Sequence, residues 1–302
     1  MSKLRSFASG RNIFIFLMLI YPLANFLVFY VAVNFNSVLM AFQRTDEEFN
    51  SVFAGFDNFS RVFQTLGANG QLLQYAGNSF FFFAVTLVIG FPLNILFAYM
   101  FYMRMYGTAF FRFCLLLPAM ISGLVTAMLY SKFAVYALPP LFEDWFGVKT
   151  VSLLRDERYN RWFLTIYMLF MGFSSNVIIY TNAMNQVDDS SVEAARVDGA
   201  SNVRILWSVV MPVIYPTIVT FMVTGVAGIF SGDASAYLFY EYSGPDNITT
   251  VGYYIFLLTK NSASLDYSFA AAIGLVFTIV TFPLTMLVKF VLDRLDPMRE
   301  EA

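Results

Sequence analysis

The sequence predicts an all-α integral membrane protein with six transmembrane helices. Three observations predict it: the composition, the positions of charge-free stretches, and the uneven sharing of basic residues between alternate loops. Of 302 residues, 59% are hydrophobic and 13% are charged, against ~45–50% apolar and ~25% charged in a soluble domain. Too few charged residues remain to cover a soluble core, and the mean hydropathy is +0.66. The composition also excludes disorder, a collagen-like repeat and a disulfide scaffold, because Cys114 is the only cysteine. There is no histidine, which removes Ser-His-Asp triads, Cys-His dyads, HExxH zinc sites and haem-binding histidine. A net charge of −2 offers no basic face for nucleic acid.

A bilayer core of ~30 Å needs ~20 apolar residues in a helix. Six long stretches carry no charge: 12–43, 62–103, 113–131, 162–187, 205–232 and 267–288. The shortest, 113–131, has 19 residues, just enough to cross. Helices are expected at 12–34, 78–103, 111–136, 163–184, 208–231 and 267–291. Pro22, Pro92, Pro118, Pro212 and Pro283 fall in or beside them, which spanning helices tolerate when neighbours satisfy the freed backbone groups. Lys3, Arg5 and Arg11 ahead of Ile13–Tyr21 have the look of a secretory signal. The apolar run continues to Phe42 without a small-x-small cleavage pattern, so an uncleaved first helix is expected. The connections at 35–77, 137–162 and 232–266 are too short for a separate soluble domain. The chain thus reads as a first part over 1–72, a core of five spans over 73–291, and a tail over 292–302.

Basic residues in short loops set orientation. With the N-terminus inside, the cytoplasmic side holds ten basic and eight acidic residues, and the outer side eight and twelve. The N-terminal tail and the 104–112 loop decide the matter, with five cations and no acid. Both termini are therefore expected in the cytoplasm of a multi-pass cell-membrane protein. Arg112 and Lys132, near span ends, read as anchors that snorkel to the interface.

The connection from Gln186 to Pro212 then lies on the cytoplasmic side and reads as two short helices with a hinge. Ser190 and Glu193 have capping-box spacing, and Asp188 and Asp189 sit at the positive end of the first helix. Ala194 and Ala195 favour helix and leave a smooth face. Gly199 is placed to terminate it in a left-handed conformation. A second helix is expected from Ser201, with Val203, Leu206, Trp207 and Val210 on one face.

Glu193-Ala194-Ala195, Gly199 and Pro212 also resemble the EAA motif of binding-protein-dependent ABC importer permeases: E-A-A, three residues, G, nine residues, I-x-L-P. Val209 and Met211 replace the pattern's Ile and Leu. The string Glu193-Ala-Ala-Arg-Val-Asp-Gly-Ala200 resembles the carbohydrate permeases in particular. Weaker elements occur in the same order. Gly55-Phe-Asp-Asn-Phe59 resembles G-x-x-N-[YF] ahead of span two, and Asn78-Ser79 resembles N-T. Phe111-Arg112 with Pro118 resembles F-R-x-x-x-x-x-P. Ser243-Gly-Pro245, with Thr249-Thr250 and Tyr253-Tyr254, resembles a worn G-G-P…T loop.

The resemblance implies a type I importer permease fold, with a cytoplasmic coupling helix between spans four and five. It also implies a second homologous permease subunit forming a heterodimer, two ATPase subunits, and an extracytoplasmic substrate-binding protein. Glu193, Ala194, Ala195, Arg196, Asp198 and Gly199 would be the ATPase-contact residues. No Gly-x-x-x-x-Gly-Lys-Ser/Thr loop is present, so no cofactor is expected on this chain, and ATP with magnesium is expected on the partner subunits. The implied cargo is a carbohydrate, an oligosaccharide first; the alternatives are an ABC permease for another solute, glycerol phosphate or polyamine, and a secondary transporter independent of ATPases. Polar residues inside the spans include Asn94, Ser122, Thr126, Ser174, Ser175, Asn176, Ser231 and Asp233. Of these Asn176, Asp233, Ser231 and Ser122 are the candidates for lining a substrate path, against ordinary interhelical hydrogen bonding. The aromatic run Phe80–Phe83 reads as packing against lipid and neighbours.

Overall fold

The computed structural model describes residues 10–45, 50–67, 70–147, 149, 152–261 and 266–297. Lys3, Arg5, Arg299, Glu300 and Glu301, which enter the charge count, lie outside them. In chain order the elements are α1 (Phe14–Met40), β1 (Gln43–Thr45), β2 (Ser51–Phe53), α2 (Asp57–Gly67) and α3 (Gln71–Tyr102). There follow α4 (Thr108–Met120), α5 (Gly123–Phe146), α6 (Asn160–Met184) and α7 (Asp189–Val197). The chain ends with α8 (Asn202–Ala227), α9 (Ala236–Tyr240), α10 (Val251–Asn261) and α11 (Tyr267–Arg294). Helices α1, α3, α5, α6, α8 and α11 are long and apolar enough to cross a membrane. Five expected spans are present with their ends moved by a turn or two.

The third is different. It was expected as one helix over 111–136, but the backbone turns extended at Ile121 and Ser122 and separates α4 from α5. Pro118 and the Ser122-Gly123 pair are poor helix continuers. At 13 residues, α4 is too short to span, and α5 takes that role.

The described residues form two compact units, one within 1–64 and 258–276 and the other within 65–257 and 277–302. In the first, β1 and β2 form an antiparallel hairpin with Arg44 opposite Val52. The buried Asn58 carboxamide donates to the carbonyls of Ala41 (2.9 Å) and Gln43 (2.7 Å). It satisfies backbone groups left over where α1 ends. Phe59 packs on Phe42 with ring centroids 5.0 Å apart. Asn58 and Phe59 are the last two residues of the Gly55–Phe59 element, which therefore serves as a clasp after the first span.

In the second unit α6 packs along α3 and α8. Ile95, Ala98, Tyr99, Val177, Tyr180, Met184, Val210 and Ile214 form one buried cluster with Val192 of α7. Three π-helical turns, Thr86–Gly90, Phe133–Ala137 and Leu206–Val210, each stand just ahead of a proline: Pro92, Pro139 and Pro212. Proline has no N–H for the carbonyl four residues earlier, and that carbonyl falls within the widened turn each time. Such turns rotate the helix that follows.

Candidate functional site

The 186–212 segment folds as two helices with a hinge, as the sequence reading expects. The cap differs from that expectation. Asp188, not Ser190, is the N-cap: its carboxylate accepts from the Ser190 backbone N–H at 3.4 Å and from the Ser190 hydroxyl. Asp is as good a cap as Ser, and it stands one residue before the helix begins. At the other end Ala200 N–H donates to Ala195 O at 2.9 Å and Gly199 N–H to Arg196 O at 3.0 Å. With φ at +79° for Gly199, this is the Schellman arrangement. Ser201 then caps α8, its hydroxyl accepting from Arg204 N–H.

Only part of α7 is held by the body of the unit. Val192 is 5% exposed, and Ala195 and Ala200 rest against the same cluster. Tyr99 donates its hydroxyl to Asn202 O at 2.8 Å, and Arg196 reaches the Met103 sulfur at 3.6 Å. Glu193, Ala194, Arg196, Asp198 and Gly199 stay exposed. Val203, Leu206, Trp207 and Val210 do not share a face, contrary to expectation. Leu206 and Val210 are buried whereas Val203 and Trp207 are exposed, at 65% and 63%. The π turn over Leu206–Val210 breaks the 3.6-residue register on which a single face depended. The outcome is an outward surface of charged, small and apolar side chains on one rigid corner.

Between α3, α6 and α8 lies a cavity of about 260 Å³, lined among others by Phe83, Phe91, Asn94, Asn176, Tyr180 and Phe221. A second cavity of about 260 Å³ shares Phe83, Thr86 and Gly225 with it, and reaches Gly228, Gly232, Ala234 and Thr250. Among the described residues, no charged side chain lines either cavity. Asn94 Oδ1 is buried and has no hydrogen-bond donor among the described residues, a costly state that an apolar residue would avoid. Asn176 faces the first cavity. The other candidates do not line either one. Asp233 caps its own loop, accepting from Ser235 N–H at 3.0 Å. The Ser231 hydroxyl donates to Gly228 O at 3.2 Å. Ser122 stands at the α4–α5 break, where its carbonyl accepts from Thr126. Phe80–Phe83 divides: Phe80 is exposed, Phe82 is buried, and Phe83 lines both cavities.

At the Asn160 end of α6, motifs far apart in sequence meet. Asn78 donates to Asp246 O (2.9 Å) and Thr249 O (2.7 Å), and accepts from Arg161 at 2.6 Å. Arg161 also donates to Asn247 O at 3.0 Å, and Asn160 and Asn247 exchange side-chain hydrogen bonds at 3.1 and 2.8 Å. Ser79 accepts from Val251 N–H at 3.0 Å, and Thr250 donates to Gly232 O at 2.8 Å. Nearby, Tyr240 donates to Leu154 O at 2.5 Å, and burial pushes its hydroxyl pKa up, so it stays a donor. The network binds the Ser243–Thr250 loop to α3 and α6. Sequence reading found Asn78 and the loop but not Arg161, Asn160 or Asn247; a cation at the start of a span was the available signal for Arg161.

Comparison with known proteins agrees with this architecture. The profile of the binding-protein-dependent transport system inner membrane component matches residues 87–300. The arabinooligosaccharides transport system permease protein of Halalkalibacterium halodurans is 26% identical over 298 residues, covering 94% of this chain and 89% of that protein. The multiple sugar-binding transport system permease protein of Streptococcus mutans is 27% identical, covering 87% and 89%. The sn-glycerol-3-phosphate permease protein of Yersinia pseudotuberculosis is 24% identical, covering 79% and 80%. Among solved structures, a bacterial ABC transporter involved in import of the acidic polysaccharide alginate superposes with TM-score 0.77 at 22% identity, over 97% of this chain and 99% of that one. The alginate transporter was also solved in complex with an alginate pentasaccharide-bound periplasmic protein, and superposes with TM-score 0.75. With the profile match extending over most of the chain and six spans in place, this protein belongs to the family of inner membrane components of binding-protein-dependent transport systems.

Proposed function

We propose that this chain is the permease subunit of an ATP-driven importer for a neutral oligosaccharide, oriented with both termini in the cytoplasm. An external binding protein delivers the sugar, a second permease subunit completes the path, and two ATPase subunits supply the energy. The observation that carries the cargo assignment is the cavity lining. Four aromatic rings, Phe83, Phe91, Tyr180 and Phe221, face two carboxamides, Asn94 and Asn176, with no charge. Aromatic faces suit the C–H faces of sugar rings, and amides suit hydroxyl groups in a concave, partly apolar site. Relatives are named for arabinooligosaccharides, multiple sugars and sn-glycerol 3-phosphate, and a solved neighbour for the acidic polysaccharide alginate; an anionic cargo calls for cations, and none lines this cavity among the described residues.

Coupling is assigned to α7. Glu193, Ala194, Ala195, Arg196, Asp198 and Gly199 contact the ATPase, with exposed Val203 and Trp207 beside them. The small alanines allow close docking, Glu193 and Arg196 supply polar anchors, and Gly199 holds the angle. A lever transmits work only if the two states differ in free energy with nucleotide bound, and the Val192 anchor and Tyr99 bond keep it stiff.

Uptake of labelled arabinotriose, raffinose and glycerol 3-phosphate by cells expressing the intact importer tests the cargo. Saturable uptake of a neutral trisaccharide is expected, with Asn176→Leu raising KM about tenfold, the value of roughly one hydrogen bond. Uptake of glycerol 3-phosphate alone would overturn the assignment. For coupling, Glu193→Lys and Gly199→Asp are expected to abolish sugar-driven ATP hydrolysis while leaving the permease in the membrane. Unchanged ATPase activity and uptake in both would remove α7 from the mechanism.

A further inference from the structure

The clearest polar site outside the path and the coupling surface is a groove of about 310 Å³ between α4 and α6, at the α7 end of α6. Arg112, Asn182 and Asn185 line it, with Ser174 and Thr181 deeper and Phe101 at one wall. The guanidinium carbon of Arg112, read from the sequence as an interfacial anchor, lies 5.7 Å from the centroid of the Phe101 ring, and no carboxylate pairs with it among the described residues. The Asn182 and Asn185 carboxamides are exposed and likewise make no side-chain hydrogen bond there. The inner hydroxyls are already committed as donors. Ser174 donates to Leu115 O, and Thr181 to Val177 O at 2.7 Å.

We propose that this groove binds the phosphodiester headgroup of an anionic phospholipid. A guanidinium presents paired N–H donors that match two phosphate oxygens, and each carboxamide adds two more donors. Basic pockets between spanning helices are suited to acidic headgroups. The neighbouring surface indicates a lipid over a free anion. Leu115 of α4 and Ile178 of α6 line the groove beside the donors, and Ile178 is exposed, as is Phe113, next to Arg112 in the chain. In a spanning protein such side chains suit acyl chains running away from the headgroup. The groove therefore offers donors at one level and an apolar wall beside it, as one lipid molecule requires. A carboxylate of the second permease subunit is the competing occupant, and it would need no apolar wall of this kind.

The test uses the purified complex of this chain with its partner permease and ATPase subunits. The complex is exchanged into vesicles of phosphatidylglycerol in phosphatidylcholine, and retained lipid is read by native mass spectrometry after extraction. Wild-type complex is expected to retain phosphatidylglycerol in preference to phosphatidylcholine. Arg112→Gln is expected to weaken retention about tenfold, and Arg112→Lys less, since it keeps the charge and loses the paired geometry. Asn182→Leu, which removes no charge, is expected to weaken it by a smaller factor and guards against misfolding of the arginine variants. Equal retention in wild type and Arg112→Gln would overturn the proposal. So would displacement of the lipid by millimolar inorganic phosphate, which marks a free-anion site. Loss of the partner permease from Arg112→Gln with lipid retention unchanged would assign the groove to the subunit interface instead.

Discussion

Gly199 holds the corner between α7 and α8 in one dihedral angle, since a left-handed φ of +79° is open to glycine and costs other residues about 1–2 kcal/mol. A Cβ there would meet no atom within 4 Å, so Gly199→Ala separates backbone strain from steric clash. It is expected to lower stability by about that amount in thermal unfolding of the purified importer, and to uncouple it less than Gly199→Asp, which adds a charge at the docking surface. Asn58 acts on the same scale. Its amide closes two carbonyls at the end of α1, and Asn58→Ala is expected to cost about 1–3 kcal/mol, the penalty for leaving buried polar groups unpaired. Both residues were visible in the sequence as motif positions. Their mechanisms, a turn and a clasp, are matters of local hydrogen bonding that short-range spacing encodes well.

Elements depend on neighbours that spacing does not reveal. Gly252, in the first turn of α10, lies against the 228–232 turn, where a Cβ would stand 2.5 Å from Ser231 O. Gly252→Ala is therefore expected to lose about 1–3 kcal/mol and to shift the wall of the second cavity. Parallel loss of thermal stability and uptake would be the readout, and a neutral result would place the contact outside the functional state. The start of α8 behaves similarly. Tyr99→Phe removes the bond to Asn202 O and is expected to cost about 1 kcal/mol and to loosen α7, raising ATP hydrolysis that proceeds without substrate. The apolar face drawn over Val203–Val210 was missed because a π turn changes the periodicity on which such a face is drawn. The proline two residues after that turn was in plain view, but proline alone allows a kink, a break or a widened turn. Packing against Ile205 and Ile214 selects among them.

For the molecule as a whole, the proposed function takes its energy from another chain, and this chain should then be inert alone. Purified by itself in liposomes with an ion gradient, this chain is expected to move no sugar; uptake under those conditions would overturn the ATP-driven reading. Five of the six spans, the position of the Gln186–Pro212 segment and the family were legible in the sequence. Each rests on a local quantity: hydropathy over about 20 residues, the charge of a short loop, or the spacing of Glu193, Ala194, Ala195, Gly199 and Pro212. The break between α4 and α5 lay at the limit of that signal, because one apolar stretch can hold one helix or two. Substrate candidates were harder still. A polar side chain in a span looks the same in sequence whether it meets a cavity, as Asn176 does, or its own loop, as Asp233 does. The sequence by itself determined five of the six segments long and apolar enough to cross the bilayer, because burying an unpaired charge or backbone group in lipid is costly wherever it occurs. Only the tertiary structure decided which polar groups face one another, such as Asn78, Arg161 and Asn247, because those contacts join residues more than 80 apart in sequence.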